Sequence, residues 1–189
     1  KQTGSMNITT DVLLIIFLII LNAIFVLSEM SVVSARKARL QQRINEGDKG
    51  AKTALDLIKN PNLFLATVQI GITLISVFIG AVGGATLAKP LAALLASAPA
   101  LAEFSESLAL GIVVIITTFF SIILGELVPK RIALHDPERI ASLFAAPMKF
   151  VSKIFSPFVW LLSRITDFVL NLLGVKPGTE PPVTEEEIQ

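Results

Sequence analysis

The run Val12-Leu-Leu-Ile-Ile-Phe-Leu-Ile-Ile-Leu-Asn22-Ala-Ile-Phe-Val-Leu-Ser28-Glu29 decides the architecture. It carries no charge before Glu29, and with the apolar residues that follow it reaches Val33. That is enough to cross a hydrocarbon core of roughly 30 Å, which takes about 20 residues of helix. Lipid offers the backbone no hydrogen-bond partner, so a lone crossing segment must be helical. Two further runs have the same character: residues 63–88 hold no charge, and residues 108–126 hold none before Glu126. With the first span at about 11–34, the sequence predicts an all-α membrane protein with three transmembrane helices.

The composition agrees. The 189 residues are 53% hydrophobic and 16% charged, with a mean hydropathy of +0.74. A soluble domain needs more charge than that to cover its surface. The net charge of +1 leaves no general footprint for nucleic acid. There is no cysteine, which excludes disulfides, thiolate metal sites and cysteine nucleophiles. No phosphate-cradling glycine loop, Ser-His-Asp set or HExxH helix occurs, so the chain is not expected to be an enzyme. Residues 1–6 read as an appended leader rather than part of the fold.

Loop charges set the expected orientation. Between the first two spans stand Arg36, Lys37, Arg39, Arg43, Lys49, Lys52 and Lys59 against Glu46, Asp48 and Asp56. Between the second and third stand Lys89 against Glu103 and Glu106, and Lys130, Arg131 and Arg139 follow the third. The positive-inside rule places the N-terminus outside and the C-terminus in the cytosol, in a cell membrane. The basic loop itself reads as a topology signal that also touches anionic lipid. Residues 89–107, with Pro90 and Pro99, suggest a short helix on the outer surface.

Residues 140–172 are apolar but hold Lys149, Lys153, Arg164 and Asp167, which fall within about 60° of one another on a helical wheel. Pro147 and Pro157 predict kinks. The segment reads as an amphipathic juxtamembrane helix along the cytosolic leaflet, with Trp160 as an interfacial anchor. A fourth span would put the C-terminus outside, against the charge pattern. Residues 7–175 thus form the membrane domain. Residues 176–189, with three prolines and the run Glu185–Glu187, read as a linker towards a further soluble domain.

Polar groups inside spans are costly and mark candidate sites. Asn22 and Glu29 share a face of the first span, with Ser28 beside them. Gln69, Thr73 and Ser76 make a stripe on the second, and Thr118, Ser121 and Gly125, followed by Glu126, on the third. Hydroxyls and amides such as Thr118 and Gln69 have a plainer use in knitting helices together. Glu29, near a membrane edge, has the plainer reading of snorkelling to water. The end of the third span is sharper. Pro129 has no N–H, so a helix broken there leaves the Gly125 carbonyl bare beside the Glu126 carboxylate. Freed carbonyls in broken helices bind cations. Every candidate donor is oxygen, and His135 stands alone in a loop, so the ion is a hard one: Mg²⁺, Ca²⁺ or Na⁺. Gly80 and Gly84 form a small-xxx-small pair for close helix packing. Three spans enclose little space, which points to a homodimer.

Four strings carry a family resemblance: Asn22-Ala-Ile-Phe-Val-Leu-Ser-Glu29, Asn60-Pro-Asn-Leu-Phe-Leu-Ala-Thr-Val-Gln-Ile-Gly-Ile-Thr73, Gly125-Glu-Leu-Val-Pro-Lys130 and Asp136-Pro-Glu-Arg139. Together, in this order, they resemble the transmembrane domain of the CorC/CNNM (cyclin M) magnesium transporters. The resemblance implies three membrane helices, an amphipathic juxtamembrane helix, a homodimer and a following pair of CBS domains. It also implies Mg²⁺ export, the ion being transported cargo rather than a catalytic cofactor. By motif, the ion-binding positions carried over are Asn22, Ser76, Gly125 and Glu126. Ser28, Glu29, Thr73 and Ser121 are possible cavity-lining positions, and Pro129 marks the helix break. The ATP-binding CBS pair is not within these residues, so no nucleotide site is expected. The expected mechanism is alternating access, with Na⁺ as the candidate coupling ion. The alternative is a Mg²⁺-sensing membrane scaffold that regulates other transporters and carries nothing.

Overall fold

Isoleucine and valine dominate the first span, yet these β-branched residues form helix there because only a helix satisfies its own backbone in lipid. The computed structural model describes residues 8–59 and 61–174. The leader at 1–6, Asn60 and the expected linker at 176–189 lie outside the described residues. α1 spans Ile8–Ser34. Its buried residues Ile15, Ile19, Asn22 and Val26 recur at helical spacing, while Leu13, Phe17 and Ile20 on the other face are exposed. An apolar face left open is what a helix against lipid presents.

The second span starts with Pro61 in the first helical turn, where its missing N–H costs nothing. α4 (Pro61–Val82) passes through one π-helical turn, Gly83–Leu87, into α5 (Ala88–Ala96). The third is built in the same way. α6 (Ser105–Ile122) passes through a π turn at Ile123–Leu127 into α7 (Val128–His135). The helices Ile8–Ser34, Pro61–Ala96 and Ala102–His135 are each long and apolar enough to cross a membrane, as the sequence predicts. Among the described residues there is no strand.

Two boundaries differ from expectation. Residues 88–96 are not a separate surface helix: α5 continues the second span and packs along α6. Pro129 does not end the third span either, because the π turn absorbs it and the helix runs on to His135. A proline ring clashes with the carbonyl four residues back, and an extra residue in the preceding turn moves that carbonyl aside.

The basic stretch after α1 is two helices, α2 (Lys37–Asn45) and α3 (Lys49–Lys59). They turn at Gly47, whose φ of +93° is a left-handed backbone that favours glycine. Leu40, Ala51, Ala54 and Leu57 are buried beneath the lysines and pack with Ala141, Ala145 and Met148. The latter belong to α8 (Pro137–Leu172), one helix with Pro147 and Pro157 inside it. Asp136 caps α8 by accepting the Arg139 N–H at 3.3 Å. Glu138 accepts the Arg36 N–H at 3.1 Å and so ties the start of α8 to the end of α1. From Trp160 onward α8 is exposed almost all round.

α1 and α4 approach closely at Gly71. A Cβ there would run into the Phe25 ring, so this glycine sets the spacing of the first two spans. The Gly80–Gly84 pair does not act as a unit. Space at Gly80 is open, while a Cβ on Gly84 would stand 3.2 Å from Leu110 Cδ1.

Candidate functional site

Asn22 is 3% exposed in the middle of α1, among residues that offer its amide nothing. It finds its partner on the third span: Nδ2 donates to the Gly125 carbonyl at 3.1 Å. The Gly125 carbonyl is therefore not bare, as the broken-helix reading expected. That bond engages one of its two lone pairs. The amide oxygen of Asn22, Oδ1, is buried with no hydrogen-bond partner in the structure. A buried acceptor is costly unless a water or a cation meets it.

Gly125 sits in the π turn Ile123–Leu127, where Val128 N–H reaches back five residues to the Ile123 carbonyl. A Cβ at Gly125 would stand 3.1 Å from Asn22 Nδ2 and 3.6 Å from the Ile19 carbonyl oxygen. A larger residue there would press on the Asn22 amide, which would have to give by a few tenths of an ångström.

Beside this contact lies a cavity of about 160 Å³ between the three spans. Asn22, Ser76, Ser121 and Glu126 line it, with Thr117 and Thr118 from the third span and Ile79 and Gly80 from the second. Of the predicted ion-binding positions, the structure brings Asn22, Ser76 and Glu126 to one cavity, with Gly125 bonded to Asn22. Ser121 is a cavity-lining position as well. Ser28, Glu29 and Thr73 do not line it. Ser28 is buried and donates to the Ile24 carbonyl at 2.7 Å, and Thr73 is exposed on the outside of α4. Gln69, in the same expected stripe, faces a separate cleft against α8 that Asp167 also lines.

Glu126 is half-exposed and forms an ion pair with Lys130, Nζ to Oε1 2.5 Å, one helical turn on. Sequence reasoning did not pair them. Glu29 is within electrostatic reach of both Glu126 and Lys130. Thr117 was also missed, although the spacing Thr117–Ser121–Gly125 places the three on one face. Its hydroxyl donates to the Val113 carbonyl at 2.8 Å, which leaves its oxygen free to accept. Among the described residues no three His, Cys, Asp or Glu side chains cluster. The donors here are instead neutral oxygens and a single carboxylate, chemistry suited to a hard cation that keeps part of its water.

The cyclin M transmembrane N-terminal domain family matches residues 13–189. The UPF0053 protein sll0260 of Synechocystis sp. is 46% identical over 185 residues, covering 98% of this chain and 41% of that protein. The UPF0053 protein YrkA of Bacillus subtilis is 36% identical over 184 residues, covering 95% and 42%. A polyamine export protein of Haemophilus influenzae is 30% identical over 183 residues, covering 97% and 42%. The chain thus spans about two fifths of the length of these relatives.

Proposed function

The chain belongs to the cyclin M family of transmembrane domains, and we propose that it is the membrane part of a carrier that exports Mg²⁺ by alternating access, with Na⁺ as the coupling ion. The observation that carries this reading is the unpartnered Asn22 Oδ1 at a cavity that also takes in Ser76 and Glu126. Mg²⁺ needs about six oxygens in near-octahedral array and gives up its water reluctantly. Asn22, Ser76, Glu126 and the second lone pair of Gly125 supply oxygen of three kinds, and retained water completes the shell. Lys130 neutralises Glu126 while the site is empty, and an arriving dication competes with its ammonium.

The rest of the reading rests on the loop charges and the family resemblance. Ser76 and Thr118 are exposed in a single chain, so a homodimer would help to enclose the cavity. α8 lies along the cytosolic leaflet, and residues 176–189 lead to a CBS pair. The N-terminus is outside and the C-terminus cytosolic.

Flux into liposomes loaded with a Mg²⁺ indicator tests the proposal. Glu126→Gln should lower the rate at least about tenfold, the factor that 1.4 kcal/mol of lost binding represents. Equal Mg²⁺ flux in the two proteins sinks it. Mg²⁺ binding without net flux in the unaltered protein would favour the sensing scaffold.

A second reading has its own support: a relative is named as a polyamine exporter, and Glu126 already accepts an alkylammonium, that of Lys130. Labelled putrescine in the same liposomes separates the two. Putrescine flux with no Mg²⁺ flux replaces the metal by an amine.

A further inference from the structure

At the far end of the third span from α5, a cleft of about 840 Å³ opens between α2, α7 and the start of α8. Its rim is basic: Arg39, Arg131, His135 and Arg139 line it. Asp136 stands in the same rim, but its carboxylate is engaged as the cap of α8. The nearby acid Glu138 is turned inward. Its side chain is 6% exposed, accepts the Arg36 N–H at 3.1 Å and lies 3.9 Å from Arg39. Among the described residues, Arg131 and Arg139 have no carboxylate within ion-pair distance.

The remaining lining is apolar, Ile132 and Ile140. Ile132 is half-exposed, as are Leu127 and Leu134 on the same stretch of helix. Arginines interleaved with open isoleucine and leucine, at the end of a span, suit the boundary between acyl chains and headgroups. A soluble acidic partner would leave that apolar rim against water.

We propose that this cleft binds the phosphate headgroup of an anionic phospholipid from the leaflet in which α7 ends. Arg131 and Arg139 hold the phosphate, since a guanidinium fork matches two of its oxygens. The N-terminal turn of α8 adds the positive end of a long helix. Ile132 and Ile140 meet the glycerol and the first acyl carbons. The cleft volume falls in the range of about 300–1,000 Å³ typical of small-molecule sites. The proposal does not depend on which cation the cavity between the spans carries.

Native mass spectrometry of the purified protein, with phosphatidylglycerol or phosphatidylcholine added, tests it. The unaltered protein should retain phosphatidylglycerol in preference to phosphatidylcholine. Arg131→Gln with Arg139→Gln should lower that retention about thirtyfold, from the loss of two charges at the membrane surface. Arg131→Lys with Arg139→Lys should stay within about threefold, since charge is kept and only the fork is lost. Lys52→Gln with Lys59→Gln, basic but outside the cleft, should cost clearly less than the double glutamine variant, since those lysines supply only general surface charge. Equal retention by the double glutamine variant overturns the proposal, and so does an equal loss in the Lys52/Lys59 control. Displacement by sn-glycerol 3-phosphate at the lipid's own concentration also overturns it, by assigning the cleft to a free phosphate. If the double glutamine variant aggregates, each single variant decides, with a loss of about fivefold expected.

Discussion

At the scale of single residues, the site turns on what Asn22 and Glu126 have for company. Both stood out in the sequence because a polar group in an apolar run is expensive. Their partners did not. Asn22 bonds a carbonyl 103 residues away, and no local pattern reports such a contact. Lys130 is four residues from Glu126, a spacing that favours ion pairs on a helix. Pro129 between them hides the pair in the sequence, because a proline there suggests that the helix has already ended. The pair yields a prediction. On the proposed function, Lys130→Met removes an ammonium that competes with the ion for Glu126, so Mg²⁺ affinity by titration calorimetry should rise, by up to about fivefold for a partly exposed pair. Unchanged or weaker binding would show that Lys130 does not compete with the ion.

At the scale of elements, the π turn at Ile123–Leu127 replaces the expected break. Proline announces a disturbed helix but does not say whether it ends or widens, since that depends on what holds the chain on either side. Here α1 packs on both α7 and the turn. Pro129→Ala restores an N–H and removes the ring clash, so the turn should relax towards regular helix and draw Gly125 from Asn22. Flux should fall about tenfold while the thermal midpoint holds or rises, the helix having regained the backbone hydrogen bond that proline withholds. A fall in midpoint with flux intact would contradict this.

The α2–α3 pair was illegible for another reason. Its lysines are a strong topology signal and mask the buried stripe beneath them. Asp48 fixes the turn: Oδ1 accepts the Ala51 N–H at 3.1 Å and Oδ2 the Arg43 guanidinium at 2.9 Å. Burial opposes its charge, but the Ala51 and Gly50 N–H groups and Arg43 outweigh that and hold the carboxyl below its usual range. The folded pKa lies below the unfolded one of about 3.9, so this stabilisation is full above that value and fades as pH falls through the folded pKa. The thermal midpoint of Asp48→Asn should therefore trail the unaltered protein at pH 7 and match it near pH 2. A gap that persists in acid would assign the effect to something other than the charge.

At the scale of the whole molecule, the lack of cysteine makes the arrangement in the membrane directly measurable. With the N-terminus outside, a thiol at Ala98→Cys should react with an impermeant maleimide on intact cells. One at Glu46→Cys should react only after permeabilisation. The reverse pattern would invert the proposed orientation. By itself the sequence determined the number of spans, because burying apolar length in lipid is a property of each segment alone, but not where the second and third end. It also marked Asn22, Ser76, Gly125 and Glu126 as candidates. Only the tertiary structure decided that α1 reaches the π turn through an Asn22–Gly125 bond, that Thr117 joins the cavity and Thr73 does not, and that Arg131 and Arg139 share a cleft with Arg39. Those outcomes depend on the rotation and depth of each helix against its neighbours. Packing at contacts such as Gly71 against Phe25 sets these, and no single segment encodes them.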